Sequence, residues 1–97
     1  MDYARVALVK VQPGAADEAI KAAQTELLPQ LRSAPGFVSY SLLQTGPDTA
    51  ISVSRWKTRT QAEQAVQTIA AWSKERMGAK VISTDNHVGE VVFSTRG

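Results

Sequence analysis

The chain has 97 residues, 43% of them hydrophobic, which predicts one globular domain spanning residues 1–97. Cysteine is absent, so disulfides and thiolate metal sites are excluded, which fits a reducing compartment. The formal charge is +2 and the basic residues are scattered, which argues against a nucleic-acid-binding face. No apolar run is long enough to span a bilayer, so we expect a cytoplasmic protein without membrane contacts.

The first two elements are a strand and a helix. Tyr3 to Val11 carries apolar residues on both parities, which is typical of a strand buried on both faces. From Ala15 onward the apolar spacing becomes helical, and the stripe comprises Ala16, Ala19, Ile20, Ala23, Leu27 and Leu31. Pro29 lacks an amide donor and is expected to kink or end this helix near Leu28.

A hairpin follows. Phe37 to Gln44 and Ala50 to Trp56 read as strands, and the turn residues Thr45 to Thr49 connect them. A connection this short predicts antiparallel pairing.

The last part of the chain contains a second helix and a fourth strand. Thr58 and Thr60 both begin sequences with capping-box spacing, so the helix starts at one of them, and Gly78 ends it. Residues 79–86 are predicted to be irregular or briefly extended, and 87–95 to form the last strand.

The element order is therefore βαββαβ, an α+β, ferredoxin-like fold. Right-handed crossovers place both helices on one face of a four-stranded antiparallel sheet. The other face would be apolar, from one parity of strand one together with Val38, Tyr40, Leu42, Ile51 and Val53. A monomer rarely exposes such a patch, so we predict a homodimer of the dimeric α/β barrel kind, or a higher assembly built from it.

The hairpin carries a candidate ligand pocket. Ser39 and Ser41 share one face of strand two, and Ser52, Ser54 and Trp56 share one face of strand three. If the apolar parity meets the partner, these hydroxyls and the indole face the helices and would bind substrate. The alternative is that the serines are half-exposed edge residues and Trp56 fills the core.

The second helix offers two further candidates. Arg76 lies in its last turns, where its guanidinium could hold a phenolate or carboxylate, although a helix C-terminus also favours a solvated arginine. Trp72 continues the apolar stripe of this helix, so it is either a core residue or a substrate contact.

His87 is the chain's one histidine, and Asp85 precedes it by two residues, so both would face the same way in a strand. His87 is a surface or structural residue or a proton-transfer group that contacts substrate. A single histidine with scattered carboxylates gives no metal-ligand spacing, so no metal site is expected.

Several segments together resemble the antibiotic biosynthesis monooxygenase family of dimeric α/β barrels. They are VALVKVQPG before the first helix, PGFVSYSLL entering strand two, Trp56-Lys57 closing strand three, and VGEVVF near the C-terminus. The nearest functional resemblance is to anthrone-type monooxygenases, which oxidise a phenolic ring with O2 and need no metal or flavin. The resemblance therefore implies no cofactor, a small aromatic ligand, and an oxidoreductase.

The resemblance also assigns individual positions. The family's pocket tryptophan and arginine fall on Trp56 and Arg76, which would be the catalytic residues. Its pocket asparagine falls on Ser52, and its tyrosine falls on Ala62, which has no proton to give. A haem-degrading branch uses an asparagine, a tryptophan and a histidine at positions occupied here by Ala7, Ala65 and Glu75, which argues against haem degradation.

Three functions remain open from the sequence. The first is a cofactor-independent monooxygenase acting on a phenol, anthrone or quinol. The second is a non-catalytic or stress-related dimer that binds a small molecule, which Ala62 suggests. The third is an isomerase or lyase of the same barrel superfamily, in which His87 and Asp85 move a proton.

Overall fold

A computed structural model describes residues 2–95 as one sheet with helices packed on it. The elements are β1 (Tyr3–Val11), α1 (Ala16–Ala22), a π-helical turn (Ala23–Leu27), α2 (Leu28–Ser33), β2 (Phe37–Gln44), β3 (Thr49–Trp56), α3 (Arg59–Arg76), a 3-10 turn (Gly78–Lys80) and β4 (Val81–Glu90). The four-stranded sheet has the order β2-β3-β1-β4, and every neighbouring pair is antiparallel. The predicted α+β, ferredoxin-like fold is confirmed.

Pro29 does not end the first helical segment. A π-helical turn precedes it, in which the Leu28 amide donates to the Ala23 carbonyl, and the chain then continues as α2 to Ser33. Pro29 lies in the first turn of α2, where a missing amide donor disturbs the fewest hydrogen bonds. The predicted apolar stripe is nevertheless correct, since Leu27 and Leu31 are fully buried against the sheet.

The start of α3 is settled by its cap. Thr58 accepts from the Gln61 amide through its side chain, and the Gln61 side chain accepts from the Thr58 amide, which completes a capping box. Gly36, at φ +79°, packs so closely on this cap that a Cβ there would collide with the Gln61 side-chain amide. The Pro35-Gly36 turn is thereby fixed against the beginning of α3.

A bulge in β2 changes which side chains face the helices. The register shifts between Phe37 and Ser39, so that Phe37 pairs with Trp56 but Ser39 pairs with Arg55. One extra residue in a strand reverses the faces of everything after it. Downstream of the bulge, Tyr40 pairs with Ser54 on the helix-facing side of the sheet.

The last strand lies earlier in the chain than predicted. β4 spans Val81–Glu90, whereas residues 91–95 form no regular element, so the predicted strand at 87–95 is wrong in its bounds. Residues 81–86 include Ser83, Asp85 and Asn86, which favour turns, but they pair with the second half of β1. Pairing with a neighbouring strand outweighs their local preference.

Candidate functional site

The principal cavity lies between the helix-facing side of the sheet and the helices. Its volume is about 450 Å³, within the range of small-molecule sites. Most of its wall is apolar, and the larger side chains are Leu27, Leu42, Val66, Ile69, Trp72 and Met77. Because alanines occupy much of the facing surface of α1 and the π-helical turn, the helices leave space above the sheet.

A buried arginine lies in this wall. Arg5, on β1, is 1% exposed, and its two terminal nitrogens donate to the Ser52 hydroxyl at 3.2 and 3.1 Å. Its Nε atom is buried and has no acceptor among residues 2–95. Within the same residues no carboxylate forms an ion pair with it.

Burial lowers the pKa of Arg5, and the neighbouring Tyr40 partly opposes this effect. A guanidinium nevertheless keeps its proton at any physiological pH. Arg5 is therefore a permanent cation at the wall of an apolar cavity, and no carboxylate within residues 2–95 offsets the desolvation that lowers its pKa.

Ser52 and Tyr40 extend the polar group. Arginine can donate but cannot accept, so both bonds to Ser52 use the serine oxygen as acceptor. The Ser52 hydrogen therefore goes to the Tyr40 oxygen, at 3.2 Å. This order leaves the Tyr40 O–H free to donate, and both Tyr40 and Arg5 line the cavity.

The remaining polar lining is neutral or basic. Thr84 and Asn86 contribute from β4, and the exposed Lys74 contributes from α3. Among the described lining residues there is no Asp or Glu. The cavity is thus electropositive and suits a neutral or anionic ligand.

Of the residues predicted to contact substrate, Ser52 and Trp72 line the cavity. Ser54 faces the helices as predicted, but it is fully buried and accepts a hydrogen bond from Trp56 Nε1 at 2.9 Å. The Trp56 ring packs edge-on against Phe37 with centroids 5.6 Å apart. Trp56 borders a separate cleft between α2 and α3, so the structure does not bring it to the principal cavity.

The prediction that Ser39 and Ser41 share the pocket face is wrong. After the bulge they pair with Arg55 and Val53 on the open face of the sheet, where both are exposed. The same bulge turns Tyr40 and Leu42 away from the open face, to which they were assigned, and into the cavity wall.

Arg76 is engaged at the surface rather than in the cavity. Its Nε donates to both carboxylate oxygens of Glu26 at 3.0 Å, and a terminal nitrogen lies 3.7 Å from Glu18. The Lys80 ammonium donates to Glu18, and this hydrogen bond lowers the pKa of Glu18. The predicted alternative, a solvated arginine near the end of a helix, describes this placement.

His87 and Asp85 lie on the open face, not in the cavity. They share one side of β4, as predicted, with His87 Nε2 3.2 Å from an Asp85 oxygen, and both are exposed. Residues 2–95 contain no cluster of three or more potential metal ligands. A histidine-ligated haem does not fit this cavity, because the one histidine faces the opposite side of the sheet.

Sequence reasoning missed Arg5, Tyr40 and Asn86 as site residues. For Arg5 a signal existed, since it shares the parity of Ala7, Val9 and Val11 in a strand predicted to be buried on both faces. A charged residue on a buried parity needs a partner or a function.

Comparison with known proteins agrees with the fold. The sequence profile of the antibiotic biosynthesis monooxygenase family matches residues 2–72, and the chain belongs to this family. Among curated proteins no significant sequence match was found. Within residues 2–95 no helix is long and apolar enough to cross a membrane.

Three solved structures illustrate the range of the fold. ActVA-Orf6 of Streptomyces coelicolor, a monooxygenase in complex with nanaomycin D, has a TM-score of 0.75 at 13% identity, covering 98% of this chain and 91% of that one. SnoaB of Streptomyces nogalater, a cofactor-independent oxygenase, has a TM-score of 0.73 at 12% identity, covering 96% and 95%. The haem degrader MhuD of Mycobacterium tuberculosis has a TM-score of 0.74 at 20% identity, covering 97% and 99%.

Proposed function

We propose that this chain is a cofactor-independent monooxygenase that oxidises a small phenol, anthrone or quinol with O2. The observation that carries the proposal is the cavity itself, whose apolar wall contains one buried cation and two linked hydroxyls. Membership of the monooxygenase family and the fold shared with cofactor-independent oxygenases support the same reaction class.

The reaction needs little from the protein beyond binding and ionisation. For an anthrone, loss of a ring C–H proton gives a carbanion that passes its electrons to O2. One oxygen atom becomes the new carbonyl, and the other leaves as water with the two hydrogens removed from that carbon. The apolar wall would bind the ring, and Arg5 would stabilise the negative charge that develops on the oxygen attached to the ring.

Oxygen uptake tests this proposal. Purified protein is incubated with anthrones and quinols, oxygen is followed with an electrode, and the quinone product is identified by chromatography. We expect a rate above the uncatalysed background that falls when Trp72→Ala removes part of the ring-binding wall. Gln30→Ala, at an exposed position on α2, is the control. A rate no higher than background for every substrate would contradict the proposal.

A non-catalytic binding protein is the second candidate. It is favoured by Ala62, which is completely buried and places no hydroxyl where the family resemblance implies a tyrosine. A ligand that raises the melting temperature without oxygen uptake would identify this function. An isomerase or lyase using His87 and Asp85 is less well supported, because both side chains lie across the sheet from the cavity.

We also propose that the open face of the sheet mediates a homodimer. Val6 pairs with Val53 and Leu8 with Ile51 on this face, and Leu8 and Leu43 remain 50% and 48% exposed. Surface of this kind favours burial against a second copy.

Sedimentation equilibrium tests the dimer. We expect a dimer for the wild type and a folded monomer for Leu8→Glu, because the new carboxylate would be desolvated in the interface. Gln30→Glu, on the helical side, is the charge-matched control. A wild-type chain that sediments as a monomer at micromolar concentration would contradict the dimer.

A further inference from the structure

The cavity wall contains a buried cation to which neither the family resemblance nor the comparisons assign a role. Arg5 is 1% exposed, lines the cavity, and has an Nε atom without an acceptor among residues 2–95. The resemblance assigned an arginine role to Arg76, which is instead held by Glu26 at the surface. We propose that Arg5, with Tyr40, binds a ligand that carries one anionic oxygen, phenolate or carboxylate, on an apolar body.

A buried cation without a counter-ion is costly, and proteins seldom retain one unless something pairs with it. The Ser52 hydroxyl is a neutral acceptor that takes two N–H bonds. A guanidinium has more N–H groups than these two bonds use, and the buried Nε–H of Arg5 has no acceptor among residues 2–95.

The donors and acceptors along the Arg5–Ser52–Tyr40 hydrogen-bond chain have a fixed order. Ser52 accepts from Arg5 and donates to Tyr40, so Tyr40 ends the chain with its own hydrogen free. Arg5 and Tyr40 are therefore two donors that line one wall of the same cavity, and the described lining has no carboxylate to compete with a ligand. Lys74, exposed and also in the lining, adds positive charge that would attract an anion.

The wall beyond the polar group is formed by Leu27, Leu42, Ile69 and Trp72, which can pack against an aromatic or aliphatic body but offer few hydrogen bonds. A phosphate or another multiply charged anion would leave several oxygens without donors there. The ligand class is thus a single negative oxygen on a hydrophobic scaffold.

This inference rests on the proposed function in one respect, which is that the same cavity receives the substrate. It is tested by equilibrium binding without turnover, so the two ideas can fail separately. The probes are 4-nitrophenolate, whose ionised form absorbs in the visible, and 2-naphthoate. Their neutral counterparts are 4-nitroanisole and 2-acetylnaphthalene.

The variants are Arg5→Met, Arg5→Lys and Tyr40→Phe, each checked for folding by circular dichroism. We expect wild type to prefer at least one anion over its neutral counterpart. Arg5→Met should weaken the binding of that anion by about 10- to 100-fold and change the affinity for its neutral counterpart by less than about threefold. Arg5→Lys should restore part of the affinity, and Tyr40→Phe should cost about three- to tenfold.

The two probes distinguish the two sources of charge. If nitrophenolate binds in an Arg5-dependent way and its visible absorbance appears at lower pH when bound, the site is assigned to phenolates. If only naphthoate binds in an Arg5-dependent way, the site is assigned to carboxylates. Equal losses for anionic and neutral probes in Arg5→Met, or no preference for either anion in wild type, would overturn the inference. Arg5-dependent phenolate binding without oxygen uptake would refute the monooxygenase while leaving the anion site intact.

Discussion

Replacing Arg5 with methionine should make the protein more stable while weakening its binding of anions. Arg5 is 1% exposed without an ion-pair partner among residues 2–95, and methionine preserves much of its apolar stem. Desolvation of a buried ion costs several kcal/mol, whereas hydrogen bonds to a charged group return about 1.5–3 kcal/mol. We expect a net gain of about 1–2 kcal/mol, which corresponds to about 4–16 °C in Tm for a domain of this size.

The assay is urea unfolding followed by circular dichroism at one fixed protein concentration, with and without 4-nitrophenolate. Arg32→Met is the control, because Arg32 is exposed on α2, on the helical side of the sheet, so its replacement relieves no desolvation and should not stabilise the protein. At a ligand concentration well above the wild-type Kd the order should reverse, since wild type gains more stability from binding than Arg5→Met does. A ligand-free Arg5→Met protein that is less stable than wild type by more than about 1 kcal/mol would refute this reasoning, because the guanidinium would then be a net structural contributor.

Two further predictions concern the turns and the surface charges. Gly14→Ala and Gly36→Ala both place a side chain at positive φ, which costs about 1–2 kcal/mol of stability. Only at Gly36 does the new Cβ displace Gln61 from the α3 cap, so thermal unfolding should show that Gly36→Ala loses about 0.5–2 kcal/mol more stability than Gly14→Ala. Equal losses of stability in the two variants would contradict the role of this contact. Lys80→Met should raise the pKa of Glu18 measured by NMR, because Lys80 lowers that pKa in the folded protein. The stability that Lys80 contributes should therefore be present at neutral pH and disappear as the pH falls through the lowered pKa of Glu18. An unchanged pKa of Glu18 in Lys80→Met would refute the pairing.

The sequence was sufficient to predict the order of the elements, because hydrophobic periodicity changes clearly from strand to helix and the turn residues separate them. Local patterns were less informative where pairing decided the outcome. β4 begins at Val81 in a polar stretch, and its hydrogen bonds to β1 hold it as a strand. Pro29 was predicted to kink or end the first helix near Leu28; a π-helical turn does interrupt the α-helical bonding directly before Leu28, but the chain stays helical to Ser33.

The candidate site was predicted less well than the fold, and one bulge accounts for much of the difference. Alternation along β2 predicts that Ser39 and Ser41 share the face of Phe37, but a bulge adds one residue and leaves no mark on residue type. Tyr40 therefore reached the cavity unpredicted. Ser52 and Trp72 do lie in the cavity wall, because β3 and α3 have no such irregularity near them.

The π-helical turn at Ala23–Leu27 is a position at which the chain could lose one residue and remain helical. A π-helical turn contains one residue more than an α-helical turn. Removing the exposed Gln24 or Thr25 would therefore restore α-helical hydrogen bonds and leave the rotation of α1 relative to α2 unchanged. Ala23 and Leu27 border the cavity, so such a deletion would change the spacing of the side chains in this wall. The turn thus offers a route by which a single-codon deletion could resize the ligand space while leaving the sheet and the Arg5 cluster in place.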